Sequence, residues 1–179
     1  MKYLIIFLTL LSLGCTQPKP INTVPNLDLD RFMGKWYVIA NIPTFLEKDA
    51  HNATEIYELK ENGKIKTTFK FNDGAFDGEI KEYDFIANVI DNKSNAIWEM
   101  QFIWPLKSDY RVLYIDDKYN TTVIGRLKRD YVWIMSRSTE INSEKLQSLM
   151  RLIDREGYNS QHIQLVPHEN QPRKLAWRT

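Results

Sequence analysis

From Trp36 to Arg137 the chain is a succession of short apolar runs cut by turn residues. Ile65, Thr67, Phe69 and Phe71 alternate with Lys66, Thr68 and Lys70, the period of a half-buried strand. Before that run stands Glu61–Asn62–Gly63–Lys64, with Asn-Gly at the centre of a hairpin turn. Pro43 ends an earlier strand over 36–42, and another is expected over 53–59. Further strands are predicted at 79–90, 96–104, 110–116, 120–126 and 131–137, separated by Asp, Asn, Ser and Lys. Short strands at even spacing with no helix between them predict an antiparallel all-β sandwich or barrel. Only after residue 142 does the period change. Leu146, Leu149, Met150 and Ile153 recur at helical spacing, with Asn142 or Ser143 as cap and Gly157 as stop. This amphipathic helix is expected to pack outside the sheet, followed by a short strand over 162–166. Asp28 caps one helical turn ahead of the first strand.

The two ends read differently. Met1–Lys2 is a short basic start, Tyr3 to Leu13 is apolar, and Leu11–Ser12–Leu13–Gly14–Cys15 resembles a bacterial lipobox. Residues 1–14 are therefore expected to be a lipoprotein signal peptide, with Cys15 lipidated. The alternative is an ordinary secretory signal with a chance cysteine. Cys15 is the only cysteine, so it has no disulfide partner within the chain. Residues 15–26, with Pro18, Pro20 and Pro25, read as a tether, and 168–179, with Arg173, Lys174 and Arg178, as a polar tail. Removing the signal leaves about 165 residues, enough for one core. The 24 Lys and Arg nearly cancel the 23 Asp and Glu, and no basic stripe suits nucleic acid.

Gly34–Lys35–Trp36–Tyr37, followed about 100 residues later by the run from Arg129 to Arg137 (RDYVWIMSR), resembles the lipocalin family, and within it the bacterial outer-membrane lipoproteins. The resemblance covers residues 27–167. It implies a single antiparallel up-and-down β-barrel of about eight strands, with the C-terminal helix packed outside. It also implies that Trp36 closes the narrow end with Arg137 lying across its indole, a favourable contact of a planar cation with a ring face. Thr16 in place of Asp after Cys15 resembles the sorting signal of outer-membrane lipoproteins. The expected location is thus the periplasmic face of the outer membrane, held by the lipid anchor.

Strand alternation anchored on Trp36 and Arg137, with the family's pattern between them, sets an inner face. It comprises Val38, Ala40, Tyr57, Leu59, Phe69, Phe71, Ala87, Val89, Trp98, Met100, Phe102, Tyr110, Val112, Tyr114, Val123, Tyr131, Trp133 and Met135. A barrel of this size either holds one small ligand or fills with side chains. Glu55 shares the side of Tyr57. Either it meets a ligand's polar headgroup together with neighbouring Tyr hydroxyls, or it is a solvated rim residue. The expected ligand-binding set is Val38, Ala40, Glu55, Tyr57, Phe69, Phe71, Trp98, Met100, Phe102, Tyr110, Val112, Tyr114, Tyr131 and Trp133.

Nothing in the chain resembles a catalytic centre. There is no G-x-S-x-G and no phosphate loop, and His51, His162 and His168 are scattered without ligand spacing. Asp116–Asp117 sits where Asp supports a turn. No enzyme activity, cofactor or metal is expected. The resemblance implies a binder of fatty acids or lysophospholipids serving envelope maintenance under stress. A planar hydrophobic ligand such as haem or a pigment is the alternative. A homodimer is possible, with Trp104–Pro105–Leu106 as a candidate contact.

Overall fold

The computed structural model describes residues 20–103 and 105–169, and of Phe102 and Ile103 the backbone alone. Cys15, Trp104, the Phe102 side chain, the signal segment and residues 170–179 lie outside the described residues. A helical turn, α1 (Leu29–Phe32), precedes eight strands: β1 (Gly34–Ile42), β2 (Ala50–Leu59), β3 (Ile65–Asp73), β4 (Ile80–Val89), β5 (Ile97–Ile103), β6 (Leu106–Ile115), β7 (Thr121–Gly125) and β8 (Val132–Ser136). Then follow α2 (Ser143–Arg155) and a two-residue β9 (Gln164–Leu165). Each strand pairs antiparallel with the next, β8 returns to β1, and β1 pairs with β2, so the sheet closes into a barrel.

Closure is shared along β1. Its first half, Gly34 to Tyr37, pairs with β2, whereas Ala40 and Asn41 pair with β9. The 60–64 turn forms as the sequence predicts, with Gly63 at φ 76° and the Lys60 N–H donating to Lys64 O. Asp28 caps α1 through Arg31 N (3.1 Å), and Asn142 caps α2 through Glu144 N (2.8 Å). Both caps use a short polar side chain to satisfy orphan N–H groups of the first turn.

The apolar residues divide into two clusters. The inner one fills the barrel and includes Leu27, Phe32, Trp36, Val38, Tyr57, Phe69, Phe85, Trp98, Met100 and Val112. The outer one joins the sheet to α2 and includes Ile39, Ala40, Leu113, Val123, Ile134, Leu146, Leu149 and Ile153. The buried stripe of α2 is thus the one that its sequence period marks.

Two bulges correct the inner-face assignment. Register shifts between Val38 and Ala40 on β1, and between Val112 and Tyr114 on β6. An extra residue inverts the facing of everything beyond it on that strand. Ala40 therefore leaves the interior, lies opposite Ile134 and packs in the outer cluster. Tyr114 lies opposite Val123, and both face outward. Lys145 of α2 donates to the Tyr114 hydroxyl and sits 4.6 Å from its ring centre. Ile124 takes the inward position instead of Val123. Leu59, expected inside, is 39% exposed at the end of β2.

Candidate functional site

One end of the barrel is plugged. The N-terminal segment crosses it, with Val24 N donating to Val112 O and Leu27 N to Ser94 O (3.0 and 2.7 Å). Leu27 and Phe32 are fully buried there. The Trp36 indole donates to Phe32 O (2.8 Å), and the Arg137 guanidinium lies over its ring. Arg137 stands one residue past β8. Above this plug Trp98 stacks on Tyr110, ring centres 4.9 Å apart, and meets Phe32 edge-on. The Trp98 indole N–H is satisfied by Asn95 O (2.7 Å).

Above Tyr110 a cavity of about 40 Å³ opens towards the other end. Its walls come from Glu55 on β2, Thr67 and Phe69 on β3, Phe85 on β4, Met100 on β5, Tyr110 on β6 and Trp133 on β8. The loop between β1 and β2 covers it with Thr44, Leu46 and Glu47. The same loop exposes Phe45 (76%), and Leu106 at the tip between β5 and β6 is 67% exposed.

Two buried carboxyls face this space. Glu55 accepts a hydrogen bond from the Tyr57 hydroxyl, which in turn lies 2.5 Å from the Tyr110 hydroxyl. Burial, with the neighbouring Glu47 charge adding to it, pushes the Glu55 carboxyl up to about 8. Burial likewise raises Glu47, although the Thr44 N–H (2.9 Å) and the Trp133 indole N–H (3.1 and 3.2 Å) both donate to it. The Tyr110 hydroxyl is held well above its usual value by burial and by Glu55. Desolvation disfavours each charged form, and two acids in one site disfavour joint ionisation.

Of the expected ligand-binding set, Glu55, Phe69, Met100, Tyr110 and Trp133 line the cavity, and Tyr57 does not line it but bonds through its hydroxyl to Glu55. Val38, Phe71, Trp98 and Val112 are buried in the inner cluster without lining it. Tyr131 is half-buried before β8, beneath the Arg126 guanidinium at 5.2 Å. Ala40 and Tyr114 face α2. Glu47, Leu46 and Thr44 were not expected, because an irregular loop has no period to read. Phe85 and Thr67 had a signal, since they share the alternation of Ala87 and Phe69.

Among the described residues no group of His, Cys, Asp and Glu could hold a metal ion. A second, outer groove lies where β1 parts from β2, lined by Lys35, Tyr37, Ile56, Lys70 and His168 among others. It does not open onto the carboxyls.

The chain matches the lipocalin-like domain family over residues 27–168. It is 31% identical to temperature-induced lipocalin-1 of Arabidopsis thaliana over 166 residues, 88% of each chain. It is 30% identical to the outer membrane lipoprotein Blc of Citrobacter freundii over 154 residues, 85% of each. The fold is similar to that of insecticyanin from the tobacco hornworm Manduca sexta (TM-score 0.65, 14% identity, 84% of this chain and 86% of that one). A barrel of eight antiparallel strands, plugged by Trp36 beneath Arg137 and carrying one helix outside, thus belongs to the lipocalin family, and the protein is a binder of hydrophobic ligands rather than an enzyme.

Proposed function

We propose that the protein is an outer-membrane lipoprotein of the Blc type. In this reading it is anchored through Cys15 at the periplasmic face and holds one amphipathic lipid, a fatty acid or a lysophospholipid, in its barrel. It would store or carry that lipid during envelope maintenance. The observation that carries the reading is the cavity itself: apolar rings on its walls, a closed floor, and polar groups gathered at one level. An acyl chain buried there gains about 0.8 kcal/mol per CH₂ before the cost of ordering the ligand. The lipoprotein and envelope parts are supported by the likeness to Blc, titled an outer membrane lipoprotein, and by the Gly14–Cys15 pair.

At about 40 Å³ the empty cavity has room for one or two waters, not for an acyl chain. Lipid entry therefore requires the 43–49 loop to lift Leu46 and Glu47 and then close again over the bound headgroup, and Met100, an unbranched and adaptable side chain, to change rotamer. Phe69 and Phe85 then form the walls of the enlarged site.

Titrating the full chain with palmitate or a lysophospholipid, read by tryptophan fluorescence, tests the binding. Trp133 at the cavity wall is expected to report a saturable change with a Kd in the micromolar range or below. No change with either lipid would mean that the barrel is a filled structural core. For the anchor, radiolabelled palmitate is expected to enter the wild-type chain and not Cys15→Ser. Equal labelling, or none in either, would remove the lipoprotein part.

A further inference from the structure

Among the described residues the cavity gathers two carboxyl groups and no cation. Glu47 enters from the loop over the mouth and Glu55 from β2, and none of the described residues lining the space is Lys, Arg or His. Both acids are nearly inaccessible, at 3% and 8% exposure. Their hydrogen bonds come from uncharged donors: the Trp133 indole and the Thr44 N–H for Glu47, the Tyr57 hydroxyl for Glu55. A third polar group, the Thr67 hydroxyl, is 1% exposed, lines the same space and has no hydrogen-bond partner. A pure hydrocarbon would leave all of this buried against methylene groups, at a cost of about 1–3 kcal/mol for each unpaired group. A ligand carboxylate would add a third acid to the same space.

We propose that the polar end of the ligand is a cation, an ammonium group joined to a long alkyl or acyl chain, seated between Glu47 and Glu55 with an adjacent donor on the Thr67 hydroxyl. This rests on the reading of the barrel as an amphiphile site and names the headgroup class that the site selects. It also separates the two lipids proposed above. A lysophospholipid carrying an ammonium fits the site; a free fatty acid meets two acids with its own carboxylate.

The pH dependence follows from the groups that face the site. These are Glu47 from the loop, Glu55 from β2, Thr67 from β3, Tyr110 from β6 and Trp133 from β8, with the Tyr57 hydroxyl bonded to Glu55 and beside that of Tyr110. Among them the two carboxyls are raised by burial, Glu55 to about 8. In the empty protein at pH 7 Glu55 therefore holds its proton. Seating a cation draws a proton off the pair and releases it to solvent. Affinity for a cationic amphiphile thus rises with pH and levels off above about 8, where Glu55 is already ionised. It holds there until the ligand amine itself loses its proton, near the pKa of about 10.4 usual for an alkyl amine. Affinity for a carboxylate amphiphile runs the other way, because it is accepted only while the acids can donate.

The test compares dodecylamine, dodecanoate and dodecanol on the full chain between pH 6 and 9. Concentrations stay below micelle formation, with tryptophan fluorescence as the readout. The amine is expected to bind at least about tenfold more tightly than the carboxylate at pH 7.5, a difference of about 1.4 kcal/mol. Their pH slopes are expected to have opposite signs. In the Glu47→Gln/Glu55→Gln double variant the ratio is expected to fall to within about threefold, less than 1 kcal/mol. If the carboxylate binds as tightly as the amine, or the ratio survives in the double variant, the cation site is wrong while the amphiphile reading stands. If dodecanol fails to bind along with the other two, the amphiphile reading itself falls. Should the double variant not fold, the wild-type ratio and slopes decide.

Discussion

Arg137 holds its guanidinium carbon 3.7 Å from the centre of the Trp36 ring while donating to the carbonyls of Arg31, Phe32, Met33 and Lys35 (2.7–3.0 Å). A single planar cation thus joins the end of β8 to α1 and the start of β1, and satisfies carbonyls that the helical turn leaves open. Burial lowers its pKa to about 10, so it stays charged at neutral pH. Arg137→Met is expected to destabilise the protein by about 3 kcal/mol, since it removes the ring contact and strands several carbonyls. Arg137→Lys is expected to recover less than half, because an ammonium cannot fan across four acceptors. A urea midpoint measured at constant m-value checks both. An unchanged midpoint in Arg137→Met would reduce the stacked pair to a surface contact.

The buried acids make stability fall as pH rises. Burial holds the Glu55 carboxyl at about 8 in the folded protein, against about 4.5 for an unperturbed carboxyl. Below about 4.5 it is protonated in both states and adds no pH dependence. Between 4.5 and 8 the unfolded chain ionises and the folded one resists, so stability is lost with increasing pH, and above 8 the loss is complete. At 1.36 kcal/mol per pKa unit the upper bound of this effect is about 5 kcal/mol. Glu55→Gln is expected to gain stability at pH 8 and to be close to wild type near pH 4.5. Thermal midpoints measured across that range decide it. A Glu55→Gln curve parallel to wild type would mean that Glu55 stays hydrated and ionised.

Gly125 has no room for a side chain. A Cβ there would lie 2.2 Å from the Tyr158 hydroxyl oxygen and 2.6 Å from a Leu113 methyl. The Tyr158 hydroxyl accepts from Arg126 N (2.7 Å) and donates to Arg126 O (2.9 Å), clamping the segment after α2 to the end of β7. Gly125→Ala is expected to cost about 1–3 kcal/mol by overpacking and by breaking this clamp. Tyr158→Phe, which keeps the ring and loses both bonds, should cost about 1–2 kcal/mol. Because both residues sit on the outer side of the sheet, ligand affinity should not move. A loss of affinity in Gly125→Ala would tie the outer cluster to the cavity.

How much of this was legible beforehand depends on the regularity of each segment. The Ile65–Phe71 alternation, the Asn-Gly turn and the spacing of Leu146, Leu149 and Ile153 follow simple periods, and their elements lie where the periods put them. Alternation from Trp36 puts Ala40 inside, and the family's pattern puts Tyr114 and Val123 there. The extra residues in β1 and β6 turn Ala40 and Tyr114 outward, and nothing in Val38–Ile39–Ala40 or Val112–Leu113–Tyr114 marks a bulge. On β7, which runs in unbroken register with β8, Ile124 opposite Trp133 faces inward and Val123 does not. Glu55 was placed by alternation, but its partner acid was not. Glu47 sits in a loop whose fold depends on Thr44 and Trp133, contacts far apart in sequence.

Whether the barrel carries an amphiphile is the central question for this protein. Native mass spectrometry of the full chain, extracted in mild detergent, tests this most directly, with Thr67→Phe as the comparison, whose ring would fill the 40 Å³ cavity. A lipid-sized adduct is expected on the wild-type chain and is expected to be absent from Thr67→Phe. A bare mass for the wild type, with tryptophan fluorescence indifferent to added lipid, would contradict it.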